Sequence, residues 1–278
     1  MLLNSLRPLL SHRRTLSAAA LPVTPPRNIL RWAIGGWCFF IAENTLLSEN
    51  RALLISKLGD EERYRMLYGA CSTTACASIA VGYHRTRGAA PLQWAASASP
   101  PGVRVATCFV LQAIGLAGLL QSVPKLQIPY GPADVREDRP HAAAKPWAVR
   151  CPFDFTHHDG LHGVQRVSRH AGLWSFAAIC LGAAAVVPSV PQASCLAMPT
   201  LVAFLGGAHT DSRHRRGIGG ELPASLEAMT SNVPGAALLA GAQGDVMEAV
   251  RALMSEGKGL NAAIGVALAA VYALRHLR

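Results

Sequence analysis

The stretch VATCFVLQAIGLAGLLQSV, residues 105–123, runs for 19 residues without a charge. A helix needs about 20 apolar residues, within a range of roughly 17–25, to cross the hydrocarbon core of a bilayer. Five further apolar segments lie around it, at 29–47, 66–83, 173–187, 195–208 and 260–274. Arg31 near the start of the first can snorkel to an interface, and Trp32 and Trp37 suit the same boundary. The segment at 195–208 is short and holds Pro199 in its first turns. Between the fourth and fifth lie only residues 188–194, with two prolines and no charge, which reads as a tight helical hairpin or a re-entrant turn. The expected fold is therefore all-α, a polytopic transmembrane helical bundle of about six spans, with five as the alternative.

Composition agrees. Hydrophobic residues make up 51% of the 278 and charged residues 15%, against about 25% charged in an average soluble domain. The spans are rich in Ala and Gly, which lets helix backbones approach closely in lipid. The net charge of +10 sits mainly at the ends of apolar segments, where headgroups of membrane lipids would meet it. No basic stripe interleaves with aromatics, so nucleic acid is not an expected partner. The seven cysteines are odd in number, and Cys38, Cys71, Cys76, Cys108 and Cys180 stand in apolar runs. No C-x-x-C pair occurs, so neither a disulfide framework nor a zinc site is expected.

Residues 1–27 contain Arg7, Arg13, Arg14 and Arg27 with several Ser and Thr, and the first acidic residue is Glu43. An Arg-rich, Ser-rich, acid-free leader is the composition of an organelle transit peptide, for plastid or mitochondrion. The expected organisation is this leader followed by a membrane domain over 28–275, placing the chain as a multi-pass protein of an organelle membrane.

Two long connections remain. Residues 124–169 carry six prolines, which opposes a buried helix. Residues 209–259 include the soluble-looking stretch 245–255, where Val246, Val250 and Met254 suggest a short amphipathic helix. Six spans would put three charged strings on one side of the membrane: Leu58 through Tyr68, Gly160 through His170, and His209 through Arg216. Two functions fit such strings. They can be interfacial anchors. Alternatively Arg63, Arg166, Arg169, Asp211 and Arg213 can build a polar site, since Arg clamps carboxylate or phosphate two-pronged. A site would turn Arg166, Arg169 and Arg213 toward one another and toward Asp211 or Glu62; anchors would point outward. His158 and His162 stand at i, i+4, a usable metal spacing if helical, with a solvated loop as the alternative.

These strings resemble the NnrU family of membrane proteins, related to plant 15-cis-zeta-carotene isomerase. Gly59 through Tyr68 is similar to the family's Gly-Glu-Arg-x-Tyr-Arg-Leu-Leu-Tyr string. Gly163, Arg166, Ser168, Arg169 and His170 match a second, with Ala171 in place of its proline. Asp211 and Arg213 match a third. Thr230, Ser231, Val233, Pro234, Ala236 and Ala237 match a fourth. The four occur in order between Trp32 and Ala240.

The resemblance implies haem b held by histidines on the first and a late span, converting a cis bond of a carotenoid-type polyene to trans. In this chain Glu43 or Asn44 stands where the first-span histidine is expected, and His209 follows the late apolar run. His170, at the mouth of the fourth span, is a further candidate for the haem or for a capping role. A carboxylate such as Glu43 in an apolar span should pair or line a cavity. Two functions are therefore expected: a haem-dependent cis–trans isomerase of a lipophilic polyene, or a haem-free, non-catalytic NnrU-like membrane protein that binds a lipid or a protein partner through its Arg-rich face.

Overall fold

The computed structural model describes residues 26–87, 99–126, 128, 130–132, 147–149, 153–154 and 160–277. Residues 1–25 of the leader, and His158 of the metal pair, lie outside the described residues, while Pro26 and Arg27 belong to the first helix. What is described is a helical bundle. Each of the six apolar segments forms a helix: α1 (Pro26–Glu49), α3 (Glu61–Thr86), α4 (Pro101–Leu120), α5 (Ala171–Val186), α6 (Val190–Arg215) and α10 (Gly259–Leu274). Shorter helices connect them: α2 (Arg51–Leu58), α7 (Ala224–Met229), α8 (Ala236–Leu239) and α9 (Val246–Glu256). In the proline-rich connection, two small antiparallel ribbons pair β1 (Lys125–Leu126) with β4 (Phe153–Asp154) and β2 (Tyr130–Pro132) with β3 (Trp147–Val149).

Among the described residues, α4 and α6 are long and apolar enough to cross a membrane. A third crossing is reached if α9 and α10, bent by 88° at the break between them, count as one broken span. α5 is apolar but has 16 residues. The expected count of six thus exceeds what length and apolarity alone support. α6 corrects the sequence expectation most. Its apolar run was expected over 195–208, yet the helix starts at Val190. Ser189 caps it by accepting the Gln192 amide at 3.4 Å, and Pro191 falls in the first turn, where a missing N–H leaves nothing unpaired. The helix then runs on through its charged end to Arg215. The residues between α5 and α6 are a corner of three, not a re-entrant turn.

The main packing contacts string the six long helices in the order α3, α1, α6, α5, α4, α10. Small residues make the seams. A Cβ at Gly36 would stand 2.7 Å from the Ile79 amide, and one at Gly265 would stand 2.6 Å from the Ala117 amide. Many large apolar side chains on the outer faces are exposed, including Leu46, Met66, Val110, Ile114, Leu268 and Val271. Such exposed apolar faces are compatible with contact with lipid.

Antiparallel alternation gathers one set of helix ends on one face: the C-terminal ends of α1, α4 and α6 with the N-terminal ends of α3, α5 and α10. Tyr64 on α3 donates to the Leu47 carbonyl of α1 at 3.1 Å, and Asn261 on α10 donates to the Leu120 carbonyl of α4 at 2.9 Å. At the opposite face Arg104 donates to the last carbonyls of α5, and Gln192 to the Tyr83 hydroxyl. All three charged strings lie on the first, polar face.

Candidate functional site

The second, third and fourth strings meet at the polar face around one buried carboxylate. Asp211, on the last turns of α6, has a side chain only 7% exposed. Arg169 Nη1 donates to its Oδ2 at 3.1 Å, and His170 Nε2 lies 2.8 Å from its Oδ1. The second Arg169 terminal nitrogen turns to backbone. Nη2 donates to the Thr230 carbonyl and, at 3.3 Å, to that of Glu227. The Arg169 amide donates to the Ser231 carbonyl at 3.1 Å, Ser168 Oγ to the Asn232 carbonyl at 2.7 Å, and the Gly235 amide to the Val167 carbonyl at 2.7 Å. The string around Arg169 is thereby laced to the string around Thr230. Asn232 then reaches α6, donating to the Phe204 carbonyl at 2.9 Å, where Gly207 leaves room for it. A buried Arg–Asp pair is sustained when its remaining donors are also satisfied, and here only Arg169 Nε lacks a partner among the described residues.

Arg166 does not join Arg169. It forms a two-pronged pair with Glu256 at the end of α9, at 2.9 and 2.5 Å, and the Gly163 amide donates to the same carboxylate at 2.6 Å. The Arg166 hydrogen bonds, helped by the Gly163 amide, pull the Glu256 carboxyl down to about 2. His162, offered above as half of a metal pair, lies 3.5 Å from Glu256. Arg213 donates to the Ile218 carbonyl at 3.2 Å, closing the turn that follows α6. Arg63 is exposed; it pairs with Asp60, and its own amide completes the α3 N-cap that Asp60 provides after the left-handed Gly59. Glu62 is exposed as well. The expected convergence is therefore partial: Arg169, His170 and Asp211 meet, while Arg166, Arg213 and Arg63 serve three other contacts.

A second polar cluster lies between α1, α3 and α6. Glu43 is 6% exposed. Its Oε1 accepts from Asn44 Nδ2 at 2.6 Å and Ser72 Oγ at 3.0 Å, while its Oε2 is buried without a partner among the described residues. Tyr68 donates to Asn44 Oδ1. One turn on, Ser48 Oγ lies 2.9 Å from His209 Nε2. His209 and Asp211 differ by two residues, about 200° around the helix. His209 therefore faces α1 while Asp211 faces α5.

Between α4, α5 and the α9–α10 bend is an open cavity of about 540 Å³. Leu111, Ile114, Trp174 and Leu181 form its apolar wall, and Gln121 and Lys258 line its end at the polar face. Nothing in the sequence pattern marked it, because its lining comes from separate segments spread between Leu111 and Ala262. Glu256 was also missed, though an acidic residue ending an amphipathic helix beside basic strings was a signal. That helix buries Ala249 and half-buries Val246, Val250 and Leu253; Met254, expected on the buried stripe, is exposed. The stripe follows i, i+3, i+4, i+7, not a strict four-residue step.

His170 and His209 are not placed to clamp a haem between their two imidazoles. His170 and His209 direct Nε2 to Asp211 and Ser48, on different sides of α6, and neither lines the large cavity. Among the described residues no group of three or more His, Cys, Asp or Glu side chains could hold a metal ion. No protein-family model, curated protein or solved structure matches the chain.

Proposed function

We propose that this chain is a polytopic, NnrU-like protein of an organelle membrane that holds a lipophilic molecule within its helices, without chemistry on it. The observation that carries the proposal is the apolar cavity of about 540 Å³ between α4, α5 and the α9–α10 bend. Pockets of such size, mostly apolar with a few polar groups at one end, are the usual form of a small-molecule site. The Arg169–Asp211–His170 cluster then plays a supporting part, tying α5 and the segment before α8, which line the cavity, to α6 behind them. The test is organic extraction of purified protein followed by mass spectrometry. A lipid or polyene retained in stoichiometric amount by the wild type, and lost when Ala178→Leu narrows the cavity, is expected. Protein that is folded but carries nothing above the level of a control membrane protein would overturn the proposal.

We also propose a second function, the polyene isomerase implied by the NnrU resemblance, for one observation: His209 meets α1 one turn from Asn44, next to the positions where the family's two ligands are expected. A Soret band in the purified protein that His209→Ala abolishes would favour it. Absence of the band from folded protein would remove it.

A further inference from the structure

The cavity has an orientation. It begins at the polar face, beside Gln121 at the C-terminal end of α4, and extends along α4 to Leu111. Ten residues of helix rise about 15 Å, which is half the roughly 30 Å thickness of a bilayer's hydrocarbon core. A lining of that length, reaching from the polar face with Ile114 exposed along its side, matches the depth of a single leaflet.

The polar-face end carries a positive charge. Lys258 Nζ donates to the Gln121 carbonyl at 2.7 Å and to the Val123 carbonyl at 2.6 Å. An ammonium has three hydrogens, so one stays available at this end. Glu256, two residues earlier, is consumed by Arg166 and the Gly163 amide and does not neutralise Lys258. The amphipathic helix α9 adds Leu253 and the exposed Met254 to the lining at this end. The Gly257-Lys258-Gly259 bend, which turns the chain by 88°, places Lys258 where amphipathic helix and spanning helix join.

From these observations we infer that the slot takes one acyl chain of an anionic phospholipid from the leaflet on the polar face, with Lys258 contacting the headgroup phosphate. This rests on the cavity being a lipophile's site, as proposed above, and adds the leaflet and the charge. The apolar wall supplies affinity through burial of the chain, and the ammonium supplies the preference for negative headgroups.

Trp174 in the slot wall serves as the reporter. Full-length protein in a zwitterionic detergent is titrated with phosphatidylglycerol or phosphatidylcholine brominated at mid-chain, and quenching is taken as wild type minus Trp174→Phe. Half-quenching by the anionic lipid is expected at about one-tenth the mole fraction of the zwitterionic one, a factor equal to roughly 1.4 kcal/mol. Lys258→Met should bring the two lipids together, and Lys258→Arg, which keeps the charge, should preserve the gap and shows that the site tolerates substitution. Equal quenching by both lipids in the wild type would overturn the headgroup preference while leaving the cavity's occupant a lipid. A gap that survives in Lys258→Met would overturn the role of Lys258. No Trp174-dependent quenching by either lipid would overturn both this inference and the use of the cavity.

Discussion

The α3–α1–α6 half and the α5–α4–α10 half are built alike away from the polar face and differently near it. Both use glycine for close approach: Gly36 against Ile79 in the first, Gly115 against Ser175 and Gly265 against Ala117 in the second. Near the polar face the first half fills its interior with Glu43, Asn44, Ser48, Tyr68, Ser72 and His209, linked by hydrogen bonds. The second leaves an apolar slot at the same level. A filled polar interior fixes helix positions because each unmet donor or acceptor is penalised in a medium without water. An unfilled apolar one is free to accept a ligand. Asp211 stands at the seam, on the α6 face turned away from His209.

Breaking the seam should have the largest effect. Asp211→Ala leaves Arg169 buried without its carboxylate, and a loss of about 3–5 kcal/mol is expected, read as the unfolding midpoint in detergent. A variant as stable as wild type would mean that the two halves do not depend on this pair. Next comes close packing: a Cβ at position 115 would meet the Ser175 carbonyl oxygen at 2.6 Å, so Gly115→Leu should lose about 1–3 kcal/mol. Gly69→Leu, with nothing within 4 Å of the new Cβ, should stay within about 0.5 kcal/mol of wild type.

The end of α9 beside the slot yields a pH prediction. Glu256 is held at about 2 in the folded protein, below its ordinary 4.5. Its stabilising contribution is therefore present above pH 4.5 and lost as pH falls from there toward 2. Glu256→Gln should show a smaller drop in thermal midpoint over that window than wild type, measured by circular dichroism. An equal drop would place the acid sensitivity elsewhere. A smaller loss than at the seam or in the close packing is expected within the polar half. Ser72→Ala removes one of two donors to Glu43 Oε1 and should lower stability by about 1 kcal/mol, and Ser72→Thr should restore it.

Apolar runs, five of them free of charge, located all six long helices, because an apolar run of that length leaves few other ways to pair its backbone. Their ends were less readable. Pro191 suggested a break, yet a proline in a first turn opposes nothing, and α6 begins just before it. Of the site, Arg169, His170 and Asp211 were named from their strings and do meet. Arg166 was named without Glu256, its partner 90 residues away. The fourth string acts chiefly through the carbonyls of Thr230, Ser231 and Asn232. Main-chain carbonyls belong to every residue, so side-chain chemistry could not reveal that role. Asn261, fully buried and bonded to the Leu120 and Pro124 carbonyls, was hidden within a run of Ala and Gly.

The central claim is that the helices span a bilayer with their charged strings on one face. Single cysteines introduced into a cysteine-free chain, at Glu62, Glu221 and Glu248 on the polar face and at Arg87, Pro188 and Leu277 on the other, test it in sealed vesicles with a membrane-impermeant maleimide. Labelling of one group of three, with the second group labelled only after permeabilisation, is the predicted result. Equal labelling of all six in intact vesicles would contradict it.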